Sequence, residues 1–342
     1  MKIGKLTNEQ LSKLVLSRLP ALSSSTVVGS DIGADCAWID LGDQMMVISS
    51  DPVTAGGMES GTLTVHVSCN DIAACGVKPT GILIDIIAPP SCSEEDISRI
   101  VEDASREAGK IGVDIVGGHT EVSESVNTFI VISTAFGIVG KDHPVPLGHA
   151  KEGDSLIITK TCGIEGSYIA ATEHVSKLSS MSSEMLARVK DYVGLISVVP
   201  EGVAAGSISS SSGEVNERGY KYCAANLLHD VTEGGVLGAA YEMAHISNLG
   251  ITVDERLIPI TSETSTICDI LNINPFRLIS SGSMLIASGE PDRILKALED
   301  EGIRACVIGK FTSKEEGFLR IDKATGEVTE LTPPEADELY GM

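Results

Sequence analysis

The strongest constraint on the fold is one arrangement that recurs in both halves of the chain. A short β-rich run is closed by a glycine or acidic turn and followed by a stretch with helical periodicity. "QMMVISSD" precedes "TLTVHVSCNDIAACG", "GILIDIIAP" precedes a cap at Ser93, and "DSLIITKTCGIEGS" and "NLLHDVTEGG" repeat the order further on. Runs rich in Val and Ile and bounded by Gly, Pro or Asp read as strands. Apolar residues three and four apart read as helices. Interleaving the two gives an α/β (α+β) fold class. At 342 residues the chain has room for two domains, expected at 1–148 and 149–342.

The elements follow from local chemistry. Thr7 is placed to cap a helix carrying Leu11, Leu14, Val15 and Leu19. "CAWIDLG" and "QMMVISSD" read as strands joined at Gly42-Asp43, and the next helix, with Val65, Cys69, Ile72 and Ala73 on one stripe, is closed by Gly76. Ser93 begins S-x-x-D, a capping-box-like start ahead of Ile97, Ile100, Val101, Ala104 and Ala108. "GVDIVGGHTEV" is expected as a strand running into a glycine turn, and "TFIVISTAFGIVG" as another β-rich run. In the second half a helix is expected from about Ser167. The pattern weakens between Met181 and Tyr220, where "SISSSSGEVNERG" reads as an exposed loop. "RLISSGSMLIAS", "PDRILKALEDEG" and "RACVIGKF" then read as strand, helix and strand.

Composition excludes several classes of function. A net charge of −23 with one Trp, six Tyr and five Phe is poorly suited to a nucleic-acid surface, which needs Lys and Arg against phosphates and aromatic rings against bases. The eight cysteines are dispersed without a C-x-x-C, which is neither a zinc knuckle nor a disulfide framework. The start "MKIGKLTNEQLSKLVL" lacks a signal-peptide pattern, and no apolar run approaches membrane-spanning length. The expectation is a cytoplasmic protein with neither nucleic-acid nor membrane partners.

What remains is a dispersed set of carboxylates and their neighbours. It comprises Asp35 in "DIGADCA", Asp51 in "SSDPV", Asn70 and Asp71 in "CNDIAACG", His119 to Glu121 in "VGGHTEV", and Asp230 with Glu233 in "HDVTEGG". Taken singly, each reads first as a turn or cap residue. Together, hard oxygen donors at strand ends and glycine turns suit Mg²⁺, which takes a few carboxylates and completes its shell with phosphate oxygens and water. The chain has no G-x-x-x-x-G-K-[ST], no G-x-G-x-x-G after a strand and no G-x-S-x-G.

In order and context these motifs resemble the aminoimidazole ribonucleotide (AIR) synthetase-related, PurM-like superfamily. Its members include thiamine-monophosphate kinase, selenophosphate synthetase and HypE, and "SSDP" and "GGHTEV" are most similar to HypE-like members. The resemblance implies a two-domain PurM-like fold. Its N-terminal domain binds ATP and Mg²⁺ and contributes to a β-barrel spanning a homodimer; its C-terminal domain is α/β. It implies an ATP- and Mg²⁺-dependent enzyme, active in hydrogenase maturation in its HypE-like members, that phosphorylates or dehydrates an amide, carbamoyl or other small-molecule oxygen. Carried over by motif, Asp35, Asp51 and Asp71 are metal ligands, while Asn70, Gly117, Gly118, Thr120 and Asp230 bind the nucleotide. Asp71, His119 and Glu121 form the catalytic set. A neutral imidazole is a poor Mg²⁺ ligand, so His119 is a substrate-binding group or base, or a packing residue.

The departures are Gly33-Ala34-Asp35 in place of G-D-D, His119 in place of the Asp of G-G-D-T, and the end "PPEADELYGM". HypE carries its reacting group on a terminal cysteine, whereas the last cysteine here is Cys306. A free or partner-borne substrate is therefore expected. The alternatives are a small-molecule kinase like thiamine-monophosphate kinase, and a non-catalytic nucleotide-binding sensor or assembly partner.

Overall fold

The computed structural model describes residues 6–32, 35–54, 59–334 and 337–341. The chain divides into two compact units, Met1–Thr64 with Pro79–Gly140, and Val65–Lys78 with Lys141–Met342. The boundary therefore cuts one helix.

In the first unit, α1 (Asn8–Leu14) begins at Thr7, whose side chain accepts from the Gln10 amide while Gln10 reaches back to Thr7 N–H. It stops earlier than its leucine spacing predicts. None of its residues is buried, and Leu14 and Leu19 are exposed; without an apolar surface to cover, the pattern has nothing to lengthen the helix. Next come β1 (Thr26–Val28), β2 (Ala37–Asp40) and β3 (Gln44–Val53), with Gly42 at positive φ in the expected turn. After α2 (Ser60–Ala74), β4 (Gly81–Ala88) and α3 (Glu94–Ile111), whose Ser93–Asp96 capping box forms as expected, β5 (Asp114–Val122) and β6 (Ile130–Gly140) complete the unit.

The six strands pair in the order β1-β2-β3-β6-β4-β5, antiparallel except for β4 with β5. One face of this sheet is packed: Val47, Val131, Ala135, Ile82 and Ile86 are all but inaccessible. Ser133 donates to the Thr64 carbonyl of α2 at 2.6 Å, which identifies this as the α2-facing side. The opposite face carries Leu83 and Ile138, each 40% exposed. The sheet is thus apolar on both faces and covered on one.

The second unit holds β7 (Ser155–Thr159), α4 (Ile164–Glu173), α5 (Ser183–Lys190), α6 (Val199–Gly206), β8 (Leu227–Asp230), α7 (Gly235–Ile246), β9 (Gly250–Asp254) and α8 (Ser262–Leu271). They are followed by β10 (Met284–Ser288), α9 (Pro291–Asp300), β11 (Ala305–Thr312), β12 (Phe318–Ile321) and β13 (Val328–Glu330). Its sheet runs β13-β12-β9-β11-β7-β10-β8, with β9 and β12 parallel and the remaining pairs antiparallel. The main core lies between this sheet and α7, built on Leu156, Ile158, Val236, Met243, Leu285 and Phe311. A satellite core joins α4, α5 and α8 through Tyr168, Val189 and Ile267.

Two sequence expectations change here. α4 starts at Ile164 rather than Ser167, because Gly163 turns the chain in the left-handed region and supplies the N-cap. The weak stretch after Met181 contains α5 and α6. A Cβ at Gly202 would strike the Ala73 carbonyl, and one at Gly206 would strike Gly76. The glycines that let α6 approach the end of α2 are the same ones that depress its helix propensity. The serine-rich segment is an exposed loop at 211–215, as expected. Its base is held by Glu290, which accepts from Ser210 Oγ and Ser211 N–H. Burial pushes the Glu290 carboxyl up, but these hydrogen bonds and Arg293 outweigh it and bring it down to about 2.

Candidate functional site

Most of the sequence-selected residues of the first unit lie on β5 and β3. The "VGGHTEV" segment does not leave the sheet in a glycine turn as expected: Asp114–Val122 is one continuous edge strand. A bulge opposite Ile82–Leu83 shifts its register, so that Leu83 pairs with Gly117, Ile84 with Gly118 and Asp85 with His119. Gly118 takes φ +149, and a Cβ there would collide with the Ile84 carbonyl. Its glycine is fixed by strand pairing. Gly117 differs, since an added Cβ would meet only Leu83 Cδ2 at 3.8 Å. The sheet does not require a glycine at 117.

Strand alternation sorts the candidates onto two faces. Asp51 pairs with Ser133, Ser133 with Ile84, and Ile84 with Gly118. That row, together with Thr120, faces the α2 side. Gly117, His119 and Glu121 face the other side with Leu83, Asp85 and Ile87. On that open face His119 Nε2 and Glu121 Oε2 stand 3.3 Å apart, with side chains 64% and 51% exposed. Asp51 is half-buried and three strand spacings from Gly118, about 14 Å along the row. Asp35 is exposed just before β2; Gly33 and Ala34 of the same motif lie outside the described residues.

Asn70, Asp71 and Asp230 belong to the second unit. α2 is buried almost all round; the Thr64 hydroxyl on it has no hydrogen-bond partner among the described residues, whereas the Asn70 amide is fully engaged. Asn70 is 1% exposed. Its Nδ2 donates to the Ile196 carbonyl at 3.0 Å and its Oδ1 accepts from Val198 N–H at 2.9 Å, so both ends of the amide are engaged by one segment of backbone. Asp71, 8% exposed, follows directly. Burial, reinforced by the Asp71 charge, pushes the Cys69 thiol up to about 12, and burial also takes Cys162 and Cys268 to about 12. These thiols are inert at neutral pH. Asp230 ends β8, 4% exposed and in register with Met284.

Several groups that the sequence reading passed over cluster beside "HDVTEGG". Asp337, in the C-terminal segment, accepts from Gly234 N–H at 2.7 Å, Leu339 N–H at 2.8 Å and Ile279 N–H at 3.2 Å. Tyr340 Oη lies 3.1 Å from Glu233 Oε1. Burial, with the Asp337 and Glu233 charges adding to it, pushes the Glu165 carboxyl above its ordinary range against hydrogen bonds from Ser281. Burial likewise raises Asp337. The available signal was an acid between two glycines at a helix start, "GIEG". Lys160, in "TKTCG", was also passed over: its Nζ lies 2.6 Å from Glu201 Oε1, and Glu201 is wholly inaccessible.

Among the described residues, no group of three or more His, Cys, Asp or Glu side chains could hold a metal ion by itself. The donor chemistry of Asp35 and Asp51 nevertheless fits a hard cation. Both are carboxylates, and no ion pair or side-chain hydrogen bond holds either among the described residues. Mg²⁺ needs only one or two protein carboxylates when phosphates complete its shell.

The family model of the AIR synthase related protein, N-terminal domain, matches residues 33–139, and that of the C-terminal domain matches 223–322. A hydrogenase expression/formation protein of Methanocaldococcus jannaschii is 29% identical over 325 residues, covering 92% of this chain and 90% of the relative. A carbamoyl dehydratase HypE of Rhodobacter capsulatus is 26% identical, covering 80% and 76%. Among solved structures, E. coli HypE superposes with a TM-score of 0.70 at 19% identity, covering 97% of this chain and 98% of that one. A HypE in complex with ATP gives 0.65 at 19% identity, with coverage of 98% and 97%. No helix among the described residues is long and apolar enough to cross a membrane. Both domain models match in order, and the fold agrees along the whole length; the chain belongs to the AIR synthase-related, PurM-like family and is HypE-like within it.

Proposed function

We propose that the protein is an ATP- and Mg²⁺-dependent enzyme of HypE-like type, which phosphorylates or dehydrates an amide, carbamoyl or comparable oxygen on a free or partner-borne small molecule. The observation that carries this reading is Gly117. A glycine inside a strand costs about 0.5–1 kcal/mol relative to alanine, and here the fold gives no return for it. Bare backbone on an exposed edge strand, next to His119 and Glu121, is what close approach of a phosphate chain requires. Similarity to a HypE described in complex with ATP supports the nucleotide, and similarity to carbamoyl dehydratases supports the reaction class.

In this reading Asp35, Asp51 and Asp71 hold Mg²⁺. Bound there, the ion would neutralise phosphate charge, the main demand of phosphoryl transfer. Gly117, Gly118 and Thr120 line the nucleotide, with Asp230 as a further nucleotide-binding group. Asn70 holds the Ile196–Val198 backbone and thereby fixes the helical turn that presents Asp71. His119 and Glu121, near enough to share a proton, are the groups for substrate binding and proton transfer. The uncovered apolar face of the first sheet, with Leu83 and Ile138 exposed, is the surface through which a homodimer would form.

The test is calorimetric titration of Mg-ATP together with ADP release over a panel of carbamoyl and amide metabolites. Asp71→Asn is expected to abolish Mg-dependent ATP binding while circular dichroism stays unchanged. Undiminished affinity in that variant removes Asp71 from the site, and binding without product across the panel points to a sensor.

A further inference from the structure

Lys160 sits in an unusual setting. It follows β7 with φ +54, a left-handed backbone that a residue with a Cβ adopts only at a cost. Its ammonium nitrogen is 2.7 Å from the Ser197 carbonyl, 2.9 Å from that of Gly282 and 3.0 Å from that of Leu195. Glu201 Oε1 closes the shell at 2.6 Å. Three carbonyls accept all the protons an ammonium can give, and the carboxylate balances its charge. Removing one partner of such a buried pair leaves an uncompensated charge. The chain thus tolerates strain and desolvation at one position in order to keep a cation there.

The backbone that this cation grips is the one that Asn70 grips. Leu195 and Ser197 give their carbonyls to Lys160, while Ile196 and Val198 bond to the Asn70 amide. Alternate residues of one short segment thus bond to different partners, and the segment is held twice over. Glu201 is on α6, whose Gly202 and Gly206 lie against Ala73 and Gly76 at the end of α2. The route from Lys160 to Asp71 is therefore continuous, and every link in it is a hydrogen bond, an ion pair or a backbone contact.

We propose that Lys160, as a built-in cation balanced by Glu201, is a positioning residue that fixes the Leu195–Val198 segment and through Asn70 sets the orientation of Asp71. The effect on ligand binding rests on the reading of Asp71 given above; the clamp itself does not.

The experiment uses the full-length protein and two variants. Lys160→Met keeps length and removes charge. Lys160→Gly also relieves the left-handed backbone, so it is the less strained of the two and serves where the methionine variant fails to fold. Hydrogen exchange at the Val198 amide reads the clamp, and Mg-ATP calorimetry reads its consequence. Both variants are expected to exchange about tenfold faster at Val198 and to bind Mg-ATP about tenfold more weakly, the scale of a lost charge-assisted hydrogen bond. Ammonium or methylammonium, but not sodium at equal ionic strength, is expected to restore Val198 protection in Lys160→Gly by refilling the oxygen cage. Unchanged Val198 exchange in either folded variant overturns the clamp. Faster exchange that neither ammonium ion corrects overturns the cation's role. Faster exchange with unaltered Mg-ATP affinity overturns the link to Asp71. If the wild-type protein binds no Mg-ATP, the functional reading fails, and Val198 exchange still decides the clamp.

Discussion

The adjacent glycines of "VGGHTEV" have opposite structural justifications, and a pair of alanine substitutions separates them. At Gly118, φ is +149 and a Cβ would overlap the Ile84 carbonyl, so Gly118→Ala must move β5 away from β4. The conformational penalty is about 1–3 kcal/mol. Displacing the two nearest ladder hydrogen bonds adds about 1 kcal/mol each, for a total of about 3–5 kcal/mol. At Gly117 the added methyl has ordinary contact with Leu83 Cδ2 at 3.8 Å. Gly117→Ala should therefore stabilise by about 0.4–1 kcal/mol through the unfolded chain. The chain's one tryptophan, Trp38, is on β2 of the same sheet, so its fluorescence reports this unit in guanidinium melts. With a slope of about 4 kcal/mol per molar, Gly118→Ala should lower the midpoint by about 1 M and Gly117→Ala should raise it slightly. If Gly117 lies against a nucleotide, its alanine variant should lose Mg-ATP affinity while gaining stability, a combination no packing role produces. Equal destabilisation by both substitutions would refute the argument, as would a harmless Gly118→Ala.

Two further outcomes concern the second unit. Glu165 has its carboxyl raised above the ordinary 4.5 by burial, so the folded state holds its proton more tightly than the unfolded chain does. Stability from this group is present below about pH 4.5 and is lost as pH rises through the higher folded value. Glu165→Gln should accordingly raise the melting temperature at pH 8 relative to wild type more than at pH 5; a pH-independent difference would show that the carboxyl is not strained. Asp337→Ala removes an acceptor shared by three backbone amides and strands Gly234 and Ile279. It should destabilise by about 2–4 kcal/mol in urea melts followed by tyrosine signals, with Asp337→Asn costing less.

What was legible in the sequence is what local chemistry fixes. The Thr7 and Ser93 capping boxes, the turn at Gly42 and the strand–helix alternation all rest on residues near one another in the chain, and all are present. Elements whose residues answer to distant partners were not legible. Gly202 and Gly206 look like helix breakers until Ala73 and Gly76 lie against them. "VGG" looks like a turn until the β4 carbonyl shows why Gly118 stays within a strand. Lys160 looks like an ordinary surface lysine until three carbonyls and Glu201 surround it. Asn70 was selected for a nucleotide, yet both ends of its amide serve the Ile196–Val198 backbone. Reading motifs in order selected candidates, and only tertiary pairing shows what each one contacts.

That pairing also limits how the candidates on the first sheet can cooperate. Residues 117 to 121 are consecutive, so their side chains point alternately to opposite faces: Thr120 shares a face with Asp51 and Ser133, whereas His119 and Glu121 share the other with Asp85. A ligand lying on one face meets only one of these sets through side chains. β5 is the edge strand, however, and among the described residues its outward backbone is not paired to another strand. A phosphate chain held by that backbone at Gly117 would lie along the rim, where both faces end. There, in the proposed reading, Thr120 could meet it from one side and the His119–Glu121 pair from the other without either crossing the sheet. An interior strand with the same sequence could not do this, because its backbone would be consumed by neighbours on both sides. In the proposed reading, the edge position of "GGHTE" would permit its residues to act on one ligand, and the glycine at 117 would allow that ligand close enough to be held.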